Sequence, residues 1–158
     1  MFRILFVCHG NICRSPMAEF VMKRMVKEKG VAERFEIASA ATSSDDLGQP
    51  VHPGSRKIMA ENGIRCEGKT SRRLTLADFA QYDRLVGMDD ENIWRMRQLA
   101  RKSKEPHAAR KISRLLDFTD APGEISDPWF HNDFKKTWNE VNEGCKALLE
   151  HCLKTSAD

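Results

Sequence analysis

The chain has 158 residues, 41% hydrophobic and 31% charged, with 26 lysines and arginines against 23 aspartates and glutamates and a formal net charge of +3. That length fits one domain, residues 1–158, able to bury roughly 70% of its unfolded surface without disulfide or metal staples. So small a positive excess gives no ground for expecting nucleic-acid or membrane binding.

The five cysteines are an odd number, unlike a secreted disulfide framework. The opening MFRILFVCHG is broken by Arg3 and has no small-residue cleavage site, so it does not read as a signal peptide. No stretch approaches a membrane span. A reducing cytoplasm with free thiols is the expected setting.

In chain order, Ile4-Leu5-Phe6-Val7 is a continuous apolar run suited to a strand buried on both faces. A glycine-containing loop follows. Ser15-Pro16 then starts a helix, with Ser as a cap and Pro at the first position. Ala18, Val21, Met22 and Met25 carry that helix's apolar spacing, and Gly30 is placed to end it. A second strand is expected at Phe35–Ala38, and the turn-rich 42–54 reads as a long loop. A short helix is expected over 54–62, stopped by Gly63, and a third strand over Tyr82–Gly87. Asp89 or Asp90 caps a helix carrying Ile93, Met96, Leu99 and Ala100, and Arg110–Leu116 suits a fourth strand. Phe134, Trp138, Val141, Cys145, Leu148 and Cys152 step by four and three along the last helix, so Cys145 and Cys152 read as core residues. Strands alternating with helices imply an α/β fold: a parallel four-stranded sheet flanked by helices.

The segment Cys8-His9-Gly10-Asn11-Ile12-Cys13-Arg14-Ser15 lies where the first strand hands over to the first helix. Open α/β sheets bind ligands at the carboxyl ends of their strands, and a helix N-terminus there offers free N–H groups and partial positive charge. A loop of this length can curl its amides around one phosphate, with Arg14 adding a planar fork for two phosphate oxygens. Cys8 alone reads most simply as a small apolar residue closing a strand. Arg14, Ser15 and the strand–loop–helix context make it a candidate nucleophile, because thiol pKa falls to about 3.5–7.5 at such helix ends. Ser15 is placed to donate to the thiolate, Gly10 to allow close approach, and Asn11 to hold a left-handed turn. The five histidines are scattered without metal-ligand spacing, so neither metal nor cofactor is expected. The pairs Arg72-Arg73 and Arg101-Lys102 read as a solvated face.

CHGNICRSPMAE resembles the phosphate loop and first helix of the low-molecular-weight protein tyrosine phosphatase family: Cys, five residues, Arg, then Ser or Thr. SAATS at 39–43, GMDDEN at 87–92 and Asp127-Pro128 are similar to that family's later segments in the same order, so the resemblance spans nearly the whole chain. It implies a cysteinyl-phosphate mechanism on phosphotyrosine or small aryl phosphates, with Cys8 as nucleophile, Arg14 binding phosphate and Asp127 as general acid and then base. Read alone, Asp127-Pro128 is an ordinary turn opener. The resemblance also implies a substrate pocket built from His9, Gly10, Asn11, Ile12, Cys13, Ser15, Asp45 and Trp129, with His9 as a wall. It further implies a reversible Cys8–Cys13 disulfide, for which a packing role of Cys13 is the equal alternative. Expected partners are phosphotyrosine proteins or peptides, and the expected state is a monomer with at most weak self-association.

Several positions depart from the family. Trp129 and Phe130 follow Asp-Pro where tyrosine is common, and Trp129 would serve as an aromatic wall. Asp45 stands where an aromatic residue is common and should disfavour strongly acidic phosphopeptides. Lys69 falls where a histidine often faces the first helix, placing it to pair with Glu19. Three alternatives remain open. An arsenate reductase would need a redox cysteine pair, and no cysteine lies between Cys66 and Cys145. A protein-arginine phosphatase resembles this sequence but places Thr where Ile12 stands. An inactive phosphotyrosine-binding module needs neither Cys8 nor Asp127.

Overall fold

Strand β1 (Phe2–Cys8) is the pivot of the structure, a computed structural model describing residues 1–156. The final two residues of the expected 1–158 domain lie outside the described residues. β1 runs between β2 (Phe35–Ala41) and β3 (Arg84–Gly87), and β4 (Ile112–Arg114) completes a parallel sheet of order β2-β1-β3-β4. Ile4, Leu5, Phe6 and Val7 are fully buried, and each such side chain stabilises the fold by about 1.5–3 kcal/mol relative to exposure. Alternation sends them to two different cores. Ile4, Phe6 and Cys8 meet α1 (Arg14–Glu28), α2 (Pro53–Glu61) and α6 (Phe134–Ser156) on one face. Leu5 and Val7 meet α3 (Leu76–Gln81) and α4 (Asp90–Lys102) on the other. A two-sided strand must be apolar throughout, which is why the run shows no polar alternation.

Four elements are corrected in extent. α1 begins at Arg14 with Cys13 at its N-cap, so Ser15 and Pro16 lie inside its first turn rather than capping and opening it. β2 continues through Ser39-Ala40-Ala41, whose small side chains carry no apolar pattern. β3 begins at Arg84 rather than Tyr82. β4 is three residues long, because single 3-10 turns at Ala108–Lys111 and Leu115–Phe118 take both ends of the expected Arg110–Leu116 strand. Leu115 and Leu116 are both buried, and a turn achieves that for neighbours where a strand would point them apart. Arg72 is not simply solvated: its guanidinium forks onto Asp78 at 3.0 and 3.1 Å. Asp89 rather than Asp90 caps α4, accepting from Asn92 N at 2.8 Å.

The floor under the site depends on α6 closing tightly on the turn after β4. A methyl group added at Gly144 would overlap Leu115 Cγ and stand 3.0 Å from Leu115 Cδ2. Overpacking costs about 1–3 kcal/mol, while Gly-to-Ala in a helix gains at most about 1 kcal/mol. Gly144→Ala should therefore destabilise the protein by about 1 kcal/mol in urea unfolding; a stabilised variant would contradict this packing.

Candidate active site

At its carboxyl end β1 releases a loop in which the carbonyls of five residues are tied by hydrogen bonds. Cys8 O accepts from Thr42 N (2.9 Å), His9 O from Ser43 N (3.1 Å), Ile12 O from His52 N (2.8 Å) and Cys13 O from Met17 N (3.3 Å). Gly10 O accepts from Ser71 Oγ at 2.7 Å. Among the described residues, the amides of Gly10 through Cys13 donate to no protein acceptor. Such a run of free N–H groups at the start of α1 is an anion-holding nest. Asn11 makes the turn possible at φ 58°, the left-handed conformation expected of it.

Asn11 and Ser15 do not line the pocket. Asn11 is buried; its Oδ1 accepts from Arg72 N (3.2 Å), and its Nδ2 donates to Ser15 Oγ (2.7 Å) and Ser39 Oγ (3.0 Å). Its part in the substrate pocket is thus corrected to that of a brace behind the loop. An amide N–H₂ only donates, so Ser15 Oγ accepts from Asn11 and keeps its own hydrogen for Cys8 Sγ at 3.0 Å or Ala40 O at 3.5 Å. Ser15 N lies 3.4 Å from the same sulfur.

Behind the brace, Ser39 Oγ donates to Glu19 Oε1 at 2.5 Å. Lys69 Nζ lies 3.4 Å from Glu19 Oε1, the expected pairing, and donates to Ser39 O at 3.0 Å. Burial lowers the Lys69 pKa from its ordinary value, with Glu19 opposing the shift.

Arg14 is 2% exposed yet lines the cavity. One terminal nitrogen donates to Asp89 Oδ2 (2.6 Å) and Ile125 O (2.9 Å), and the other lies 3.5 Å from Asp127 Oδ2. Its Nε has no partner. A buried donor without an acceptor is costly, and an anion oxygen seated in the nest would satisfy it. Burial opposes the Arg14 charge, but Cys8, Asp89 and Asp127 outweigh it and raise its pKa. The Cys13 thiol is pushed up to about 12, by burial first and then by Cys8 and Asp127. Cys13 is therefore a thiol at neutral pH and no rival nucleophile. Cys145 and Cys152 are fully buried on α6, as expected, with burial raising both thiols.

The cavity over Cys8 measures about 500 Å³. Of the residues singled out in the sequence as pocket candidates, His9, Gly10, Ile12, Cys13, Asp45 and Trp129 line it. Asp127 caps the short helix α5 (Pro128–His131), accepting from Trp129 N at 3.0 Å. That holds Trp129, 70% exposed, beside Phe130, 85% exposed, as one wall. Across the mouth, His9 Nε2 lies 2.7 Å from Asp45 Oδ2. Asp46 rests where a side chain at position 10 would stand, so Gly10 serves close approach.

Sequence reasoning did not assign Asp46, Asp89, Glu91, Asn92 or Phe130 to the cavity. For Asp89, Glu91 and Asn92 the signal was the GMDDEN segment, where Asp89 is both helix cap and Arg14 partner, and for Phe130 its place beside Trp129; Asp46 carried none.

A cysteine and arginine in one amide-lined nest, with a carboxylate at its mouth, form a site suited to a phosphate ester. The chain belongs to the low molecular weight phosphotyrosine protein phosphatase family, whose sequence model matches residues 3–157. It is 33% identical over 156 residues to the low molecular weight protein-tyrosine-phosphatase YfkJ of Bacillus subtilis, covering 98% of this chain and 97% of that one. It is 32% identical to the low molecular weight protein-tyrosine-phosphatase PtpA of Staphylococcus aureus, covering 98% and 96%. The crystal structure of YfkJ superposes with a TM-score of 0.91 over 98% of this chain and 96% of that one, at 32% identity. An arginine phosphatase from Drosophila is also similar, with a TM-score of 0.85, 26% identity and coverage of 94% and 96%.

Proposed function

We propose that this protein is a protein-tyrosine phosphatase, a single domain acting in the cytoplasm as a monomer on phosphotyrosine proteins or small aryl phosphates. The observation that carries the reading is the convergence of Cys8 Sγ, 3.0 Å from Ser15 Oγ and 3.4 Å from Ser15 N, with the unpartnered Arg14 Nε and the Asp127 carboxylate on one cavity. The relatives named for tyrosine dephosphorylation support the substrate class, and the absence of any helix long and apolar enough to cross a membrane among the described residues fits the setting.

In this mechanism the phosphoryl group sits in the nest, two of its oxygens on Arg14. The Cys8 thiolate attacks phosphorus in line, forming S–P as the P–O bond to the phenol breaks. Protonated Asp127 delivers its proton to the departing phenolate. Asp127, now a carboxylate, takes a proton from water, whose oxygen attacks phosphorus and breaks S–P. Phosphate leaves and Cys8 is regenerated. Ser15 stabilises the sulfur both before attack and as leaving group. Trp129 and Phe130 form one wall for the ring of an aryl ester, which gives depth for phosphotyrosine over phosphoserine. Ile12, partly buried at the cavity, favours an apolar ring over a guanidinium, which weighs against the arginine phosphatase alternative.

The test combines substrate and leaving group. Asp127→Ala should slow phenyl phosphate by about 10²–10⁴-fold and p-nitrophenyl phosphate, with its better leaving group, distinctly less. Equal slowing contradicts the acid role. Wild-type protein should hydrolyse phosphotyrosine peptides in preference to matched phosphoserine and phosphoarginine peptides; preference for phosphoarginine would move the assignment to that class.

A further inference from the structure

A second cavity, about 220 Å³, lies beside the first, against α4 and the loop leaving β2. Its inner wall is Thr42, whose amide donates to Cys8 O. Thr42 Oγ1, like Arg14 Nε, is a buried polar atom without a partner. Arg73, Arg95 and Lys102 surround the opening, and Trp94, 60% exposed, forms one side.

Charge changes sign between the two cavities. Asp45, Asp46 and Glu91 stand on the catalytic one. Around the second are three cations, of which Arg73 donates to the neutral Ser44 Oγ at 2.8 Å and Arg95 to Glu91 at 3.1 Å. No carboxylate lies within ion-pair distance of Arg73 or Lys102 among the described residues. Glu91 and Arg95 are one helical turn apart, about 6 Å along α4 at 1.5 Å per residue. An extended peptide advances roughly 3.3 Å per residue, so a side chain about two positions or more from a phosphotyrosine in the first cavity comes over the second.

We infer that this cavity is a substrate subsite for an anionic side chain, a carboxylate or a second phosphoryl group, carried on the same peptide as the phosphotyrosine. The cations neutralise its charge, Trp94 covers its aliphatic stem, and the acidic rim of the first cavity disfavours the same charge directly beside the phosphotyrosine. The substrate therefore carries its anion at a distance, and charge position sets the register. The inference rests on the phosphatase reading above.

The experiment uses the full chain and phosphotyrosine peptides with alanine flanks, in which one glutamate or one phosphoserine is walked over four positions on either side. p-Nitrophenyl phosphate, too small to span both cavities, is the control. Wild type should show a gain in kcat/KM of about three- to tenfold at one remote position, carried by KM, and a loss at adjacent positions. Arg73→Glu with Lys102→Glu, both exposed in the fold, should abolish or reverse the gain and leave the alanine-flanked peptide and the control unchanged. The arm giving the larger gain identifies the group as carboxylate or phosphate. No remote gain in either arm, or a double variant that loses all peptides alike, overturns the subsite. Failure of wild type on p-nitrophenyl phosphate would instead overturn the phosphatase reading itself.

Discussion

Cys8→Ser is expected to lower turnover of aryl phosphates by a factor on the order of 10⁴ or more, the scale of removing a covalent nucleophile. The swap barely changes shape: Cys8 is 2% exposed and its oxygen analogue fits the same space beside Ser15. The chemistry changes far more, because an alcohol does not ionise near neutral pH and is a poor nucleophile without a base. The nest should survive, since the ties that hold the loop open run from its carbonyls to Thr42, Ser43, His52, Met17 and Ser71, not through the sulfur. Inorganic phosphate should therefore bind the variant at least as tightly as wild type by calorimetry. Activity within tenfold of wild type would contradict covalent catalysis. Lost activity with lost phosphate binding would mean that the sulfur holds the loop rather than reacts.

Arg14→Lys is the second large effect, and it separates charge from geometry. Lysine keeps a positive charge but has no planar fork. It cannot place donors on two phosphate oxygens while holding Asp89 and Ile125 O as Arg14 does at 2.6 and 2.9 Å. Losing one preorganised donor to a developing charge costs about 10²–10³ in kcat, and here more than one is lost. The expected fall in kcat/KM is at least about 10³-fold, shared between kcat and KM. Ile125 is fully buried, so its carbonyl loses a donor that water cannot replace. That adds about 1–3 kcal/mol of destabilisation, seen as a lowered Tm. A variant with undiminished kcat would show that the guanidinium serves structure alone.

What the sequence disclosed tracks how local each signal was. β1, α1 and α6 were legible because a two-sided strand is an unbroken apolar run and long helices repeat their stripe several times. The six-residue α3 and four-residue α5 were not foreseen, because one or two turns show no periodicity. β4 was overdrawn because Leu115-Leu116 reads equally as strand or buried turn. In the site, Cys8, Arg14 and Ser15 share one loop and were visible as a motif. Asp89 joins Arg14 from 75 residues away, and only the parallel crossing of β1 and β3 brings them together. Asn11 shows the opposite limit: its left-handed turn was legible, but the direction of its side chain, inward to Ser15 and Ser39, depends on where β2 lies. The Lys69–Glu19 pairing was anticipated, yet its link through Ser39 to the Asn11 brace exists only in three dimensions.

The sulfur's role can be read directly by quenching wild-type protein in acid during turnover of p-nitrophenyl phosphate and mapping phosphorylated peptides by mass spectrometry. The account predicts one phosphoryl group, on the peptide containing Cys8, more abundant in Asp127→Ala and absent in Cys8→Ser. A phosphoryl group on any other residue, or full turnover with none trapped in either active form, would contradict it.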